Sequence, residues 1–200
     1  SSDVCSSDRY ERFLGQELNK TNYITTGQVY WKVLKKERAF QYDGEDIEAI
    51  PHVSDEIIRR IKQAGEKNKA EIVLVELGGT VGEYQNALFF EAMRLMKMKE
   101  PDRVLNIHLA YLPIPAKLGE MKTKPVQQSV KALNAMGIQP DFIIGRAERE
   151  MDKKRKERIA LFCNVPSEHI FSDPDVESIY EIPSILDKQC MAEKILAKFG

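Results

Sequence analysis

RVLNIHLAYLPIPAKLGEMKTKPVQQSVKALNAMGIQPDFIIG (residues 103–145) opens on an apolar run, crosses a loop rich in lysine and glycine, and closes on a second apolar run. The first run, RVLNIHLAYLP, reads as a strand. A helix follows from about Val126 to Met136 and is stopped by Gly137, and DFIIG is a buried strand. The pattern continues on both sides. Upstream, AEIVLVEL (70–77) is a continuous apolar run suited to a strand covered on both faces, and NALFFEAMRLMKM (86–98) is an amphipathic helix. Downstream, MDKKRKERIALFC (151–163) is a charged, partly amphipathic helix, and DVESIYEIP a shorter one after HIF. Alternating strands and helices predict an α/β fold: a mainly parallel sheet with helices on both faces.

Nearer the N-terminus, Val29, Val33 and Leu34 recur at helical spacing within 26–37, with Thr26 as N-cap. DIEAIPHVS reads as a short strand ending near Pro51. Ser54 then caps a helix closed by Gly65. The first eight residues, SSDVCSSD, have no apolar periodicity and are expected to be a disordered or foreign extension.

At 200 residues the chain is long enough for one substantial core, and 42% apolar with 30% charged residues is ordinary globular composition. A net charge of −1 gives no general attraction to nucleic acid or anionic membrane, so anion binding must come from local clusters. The basic run 153–158 is offset by Glu148, Glu150, Asp152 and Glu157, which favours a solvated helix face. Three dispersed cysteines argue against a disulfide framework and for a reducing compartment, the cytoplasm. No apolar stretch approaches the roughly 18 residues of a membrane span.

Two loops carry chemistry. Residues 76–82 place Glu76 at the end of an apolar run, ahead of Gly78, Gly79 and Gly82. Glycines let backbone N–H groups approach a ligand, and a carboxylate there can hold Mg²⁺. A tight connection with Glu76 solvated is the alternative. The second loop, 119–129, has Lys122 and Lys124 flanking Thr123, with Pro125 opening the next helix. Two ammonium groups at a helix N-terminus favour phosphate. Ligands of open α/β sheets gather beyond the carboxyl ends of strands, so both loops are expected on one sheet edge. No G-x-x-x-x-G-K-[ST] motif is present.

YERF, TTGQVY, KER, IPHVSDEI, ELGGTVGE, GEMKTKP, GIQPD, IALFCNVP and DVESIYEIP, in this order, resemble the ATP-dependent amidoligase domain of the CTP synthase family. The resemblance runs from Arg9 to about residue 188, with 189–200 the start of a linker or tail. It implies an incomplete P-loop-NTPase-like (Rossmann-like) domain. The implied reaction turns UTP into CTP: ATP phosphorylates the uracil O4, and ammonia from a glutaminase domain displaces phosphate.

The resemblance also implies roles for individual residues. Glu76 falls on the magnesium ligand, and Gly78 and Gly79 form a wall of the UTP site. Glu83, Tyr84 and Gln85 fall on a segment contacting ribose and base of UTP or CTP. The family commonly has Asp-Ile-Glu there, so the lost third carboxylate implies altered inhibition by CTP. Lys122, Thr123, Lys124, Pro125, Val126 and Gln127 match a pyrimidine-nucleotide segment, with Val126 in place of threonine. Arg158 stands where a nucleotide-binding lysine is usual. Pro174, Asp175 and Val176 fall near the adenine of ATP, and His52 near the ammonia route. A homotetramer is implied too. The family's phosphate loop and an aspartate metal ligand, aligned with Ser6, lie upstream, and the glutaminase domain downstream. The 200 residues alone are therefore expected not to make CTP. The competing reading is a non-catalytic nucleotide-binding or scaffold remnant.

Overall fold

The computed structural model describes the backbone of residues 2–200 and the side chains of residues 8–200. The extension expected over 1–8 lies, for residues 1–7, outside the described side chains. The backbone of residues 2–8 belongs to helix α1 (Ser2–Leu14). The chain divides into two compact units: residues 1–79 with 84–93, and residues 80–83 with 94–200.

The first unit is helical. Helix α2 (Thr26–Arg38) starts one residue earlier than its sequence suggests, because Thr25 and Gln28 form a reciprocal capping box. Val29 and Val33 lie one turn apart and pack with Val53, Ile57 and Ala92, the last from α4 (Ala87–Lys99). Helix α3 (Ser54–Asn68) runs past Gly65 and ends at Lys69, which takes the left-handed conformation (φ 49°). Gly65 serves packing instead: a Cβ there would come within 2.9 Å of Val73 Cγ2. Ser54 does not cap α3; its hydroxyl donates to Pro51 O at 2.9 Å.

Two expected strands are absent. Residues 46–48 lead into a wide, irregular helical turn, Ala49–Val53, in which Ile50 is extended, and Ile47 packs on the helical core. Two alternating apolar residues before a proline are too few to hold a ladder, and proline removes a donor. Residues 70–77 are not a strand either. Ile72, Val73, Leu74 and Val75 are 52%, 42%, 83% and 54% exposed, and the sheet among the described residues contains only β1, β2 and β3. An apolar run becomes a strand only where a neighbour accepts its backbone hydrogen bonds.

The second unit holds that sheet, three parallel strands in the order β1 (Ile107–Tyr111), β2 (Phe142–Ala147), β3 (Ile170–Pro174). Leu109 pairs with Ile144, and Gly145 with Ser172. Helices α5 (Lys124–Ala135) and α6 (Lys153–Cys163) are the crossovers and pack on each other. Their apolar faces meet the sheet in a core that includes Leu112, Val126, Val130, Ile143, Ile159 and Ile170. Strand β2 is the central one. At Gly145 a Cβ would lie 2.5 Å from both Leu112 Cδ1 and Met151 Cε, so a larger residue would make the ends of those two side chains shift. β1 buries His108 and Ala110 and exposes Ile107, Leu109 and Tyr111.

β3 carries no sequence warning, because its IFSDP includes Ser172 and Asp173, both buried. Ser172 Oγ accepts Met151 N at 2.8 Å. The Gln189 side chain pairs with the Ser172 backbone in both directions at 2.8 Å, completing the edge of β3 as a further strand would. Residues beyond Gln189, expected as a linker or tail, form α8 (Met191–Phe199), after α7 (Ile182–Asp187). Among the described residues no helix is long and apolar enough to cross a membrane.

Candidate functional site

The start of the glycine loop, residues 76–79, lies in the first unit, beside a cavity of about 350 Å³. Glu76 and Gly78 line it, together with Thr21, Asn22, and Thr25 and Thr26 at the N-terminus of α2. The Tyr10 hydroxyl donates to the Glu76 carboxylate. Partial burial, then the charge and hydrogen bond of Glu76, push the Tyr10 pKa up. Asn86 Nδ2 donates to Gly78 O. Gly79 (φ 94°) and Gly82 (φ 95°) take left-handed conformations that a side chain would strain. Sequence reasoning gave no role to Tyr10, Thr21, Asn22, Thr25, Thr26 or Asn86. Two of the quoted motifs, YERF and TTGQVY, contain Tyr10, Thr25 and Thr26 and were the available signal.

Glu76 is the one carboxylate on that cavity, and among the described residues no three His, Cys, Asp or Glu side chains gather to hold a metal. One carboxylate beside hydroxyls fits Mg²⁺, a hard ion that keeps water and phosphate oxygens as its remaining ligands. Tyr84 (96% exposed) and Gln85 line a separate cavity of about 130 Å³ with Val29, Tyr30 and Phe89. His52 Nδ1 accepts the Glu48 N–H at 3.1 Å, and Tyr42 meets its ring edge-on at 5.1 Å.

The lysine loop lies in the second unit. Lys122 N donates to Pro113 O at 2.9 Å, and its Nζ lies 2.6 Å from Glu120 Oε2. Thr123 is 7% exposed and takes the N-cap position of α5 without a side-chain cap. Its Oγ1 instead accepts Gln127 Nε2 at 3.1 Å. Lys124 and Pro125 are exposed at the first turn, so the ammonium and the open helix N-terminus share one corner. Val126 is wholly buried and offers a ligand only its backbone.

Two arginines from the segment after β2 hold this loop by its carbonyls. Arg149 Nη2 donates to Gly119 O at 2.6 Å, and Arg155 Nε to Met121 O at 3.1 Å. The hydrogen bond from Lys122 first, then its charge, hold the Glu120 carboxyl below the usual range, so it stays ionised. Neither arginine nor Glu120 was singled out from sequence, because loop contacts about 30 residues apart leave no periodic trace.

The remaining expected residues spread along the same unit. Arg158 is exposed on α6, its guanidinium 5.6 Å from the Phe162 ring centroid. Pro174 ends β3, Asp175 N donates to Ala147 O at 2.9 Å, and Asp175 pairs with Arg146 at 3.6 Å. Asp173 Oδ1 is buried with no hydrogen-bond partner, and burial pushes that carboxyl's pKa up. The expectation of one shared strand edge for the two loops loses its basis, since 70–77 is no strand.

With that geometry in place, comparison with known proteins is specific. The family model described as "CTP synthase N-terminus" matches residues 6–200. The chain is 47% identical over 190 residues to a CTP synthase of Saccharolobus solfataricus, covering 94% of this chain and 36% of that protein. It is 46% identical over 191 residues to one of Sulfolobus acidocaldarius (96% and 36%), and 42% identical over 191 residues to one of Porphyromonas gingivalis (96% and 35%). The chain thus spans roughly a third of the length of the curated relatives it matches.

Proposed function

We propose, starting from the fact that the chain belongs to the CTP synthase N-terminus family, that it is the pyrimidine-nucleotide part of an enzyme converting UTP to CTP. ATP and ammonia from glutamine are the co-substrates in this reading, and the working enzyme is a cytoplasmic homotetramer. The observation that carries it is the family match over residues 6–200, a range that includes both loops.

In this reading each loop does separate work. Lys122 and Lys124 bind the nucleotide phosphates, where ammonium charge and the N-terminus of α5 add. Thr123, held by Gln127, keeps the turn between the lysines closed. Pro125, Gln127 and the Val126 backbone complete that wall, with Arg158 as a further cation. Gly78 and Gly79 let the loop backbone approach the pyrimidine nucleotide closely, with Glu83, Tyr84 and Gln85 beyond them. Pro174, Asp175 and Val176 serve the ATP base, and His52 the ammonia route. Glu76 would hold Mg²⁺, whose charge offsets that of the transferring phosphoryl group.

The test is CTP formation by the full-length protein from UTP, ATP and glutamine or ammonium. Lys122→Ala is expected to raise the KM for UTP at least about tenfold, the loss of one charge-assisted hydrogen bond. CTP formation absent in the full-length protein, or an unchanged KM in that variant, overturns the respective part of the reading.

A further inference from the structure

We propose that Arg155 is a positioning residue of the pyrimidine-nucleotide site, fixing the 119–124 loop so that Lys122 meets phosphate, while Glu120 parks Lys122 when phosphate is absent. This rests on the reading of Lys122 as a nucleotide contact.

The Arg155 guanidinium sits at the meeting point of three segments. Its Nε donates to Met121 O at 3.1 Å, Nη1 pairs with Asp152, and Nη2 lies 3.5 Å from Glu120 Oε1. Asp152 in turn caps α6, accepting the Arg155 backbone N–H at 2.8 Å. The planar fork of an arginine presents separate N–H groups to all three partners at fixed angles, a spread that a compact ammonium group does not reproduce. Met121 is buried in the core and Lys122 N donates to Pro113 O, so Arg155's bond to Met121 O joins these ties where the loop meets the core. Arg158 lies three residues further along α6, which ties this second cation to the same frame.

Glu120 is shared. Its Oε2 holds Lys122 at 2.6 Å and its Oε1 faces Arg155 at 3.5 Å. An arriving phosphate competes with Glu120 for Lys122. When Lys122 leaves, Arg155 remains as the cation beside Glu120, so the carboxylate is not left facing the phosphate unpaired. Glu120 and Asp152 are exposed while Lys122 and Arg155 are part-buried, and ion pairs open to solvent on one side add little to stability. The cluster therefore acts on ligand geometry far more than on folding.

The experiment uses the full-length enzyme. Arg155→Ala is expected to raise the KM for UTP about tenfold, with kcat and the KM for ATP within about twofold and Tm lowered by only a few degrees. Arg155→Lys keeps the charge but loses the fork, and is expected to raise the UTP KM at least about threefold. Glu120→Gln, which frees Lys122, is expected to lower it; a raised value removes the parking role. A UTP KM within about twofold of the parent for Arg155→Lys overturns the positioning role, even if Arg155→Ala fails to fold. Lys122→Ala separates the two levels. If it leaves the UTP KM unchanged, the nucleotide-site reading itself fails; if it raises that KM while the Arg155 variants do not, only the positioning role fails.

Discussion

Glu56 shows how a single buried charge is made tolerable. It is 2% exposed on α3 and accepts Arg59 Nη2 at 2.7 Å, Arg60 Nε at 3.1 Å and Lys36 Nζ at 3.1 Å. Burial alone would raise its pKa, but hydrogen bonds from Arg59, Lys36 and Arg60 outweigh it and bring the carboxyl down from 4.5 to about 2. A lowered carboxyl contributes stability that is complete above its unfolded pKa and disappears as pH falls through the folded one. That difference corresponds to about 3 kcal/mol at neutral pH. Urea unfolding of the 200-residue chain should therefore show Glu56→Gln less stable by about this amount at pH 7, the gap closing as pH drops from 4.5 toward 2. A gap independent of pH would mean the network works by shape alone. Arg60 also reaches the Gln28 carbonyl at 3.1 Å, so the same network ties α3 to the start of α2.

Among the elements, β3 depends most on a distant side chain. Its Ser172 N–H and C=O would face outward at the sheet edge, but the Gln189 amide takes both, and Ile185 O and Lys156 Nζ fix that amide in turn. A carboxamide has one donor and one acceptor face, which matches a backbone edge as no hydrocarbon can. Gln189→Ala leaves two strand-edge groups unpaired and should cost about 1–3 kcal/mol in chemical denaturation. Gln189→Glu should cost a similar amount, because a carboxylate accepts from Ser172 N but cannot donate to its carbonyl. Equal stability of the Ala variant and the parent would show that water replaces the amide there.

Over the whole molecule, backbone hydrogen bonding is uneven. β2 is paired on both sides and buries Phe142, Ile143, Gly145 and Ala147, whereas residues 71–77 have no ladder and carry four exposed aliphatic side chains. Protection from hydrogen exchange follows burial and pairing. In the 200-residue chain, Ile143 and Ile144 amides should exchange at least about a hundredfold more slowly than those of Val73 to Val75. Comparable slow exchange at Val73 to Val75 would show that this run finds a strand partner in solution. The exposed run is also a liability, since an unpaired apolar stretch of high β-propensity is a template for association.

The sequence by itself determined what is local. The apolar periodicity of α2 to α6, the strands β1 and β2, the glycines at positive φ and the lysines ahead of α5 all follow from spacing within a few residues, and the ordered motifs carry the family. Tertiary structure alone decided which apolar runs become strands. IFSDP, half polar, is β3 because β2 and Gln189 meet its backbone; IVLV, wholly apolar, is not a strand because no neighbour does. It also decided what holds the lysine loop. Arg149 and Arg155 lie 30 and 34 positions from the carbonyls they grip, and such contacts form only once the chain has folded back. Side-chain pattern reports burial one residue at a time, whereas a hydrogen-bonded edge or a clamp is a relation between two segments, fixed by packing.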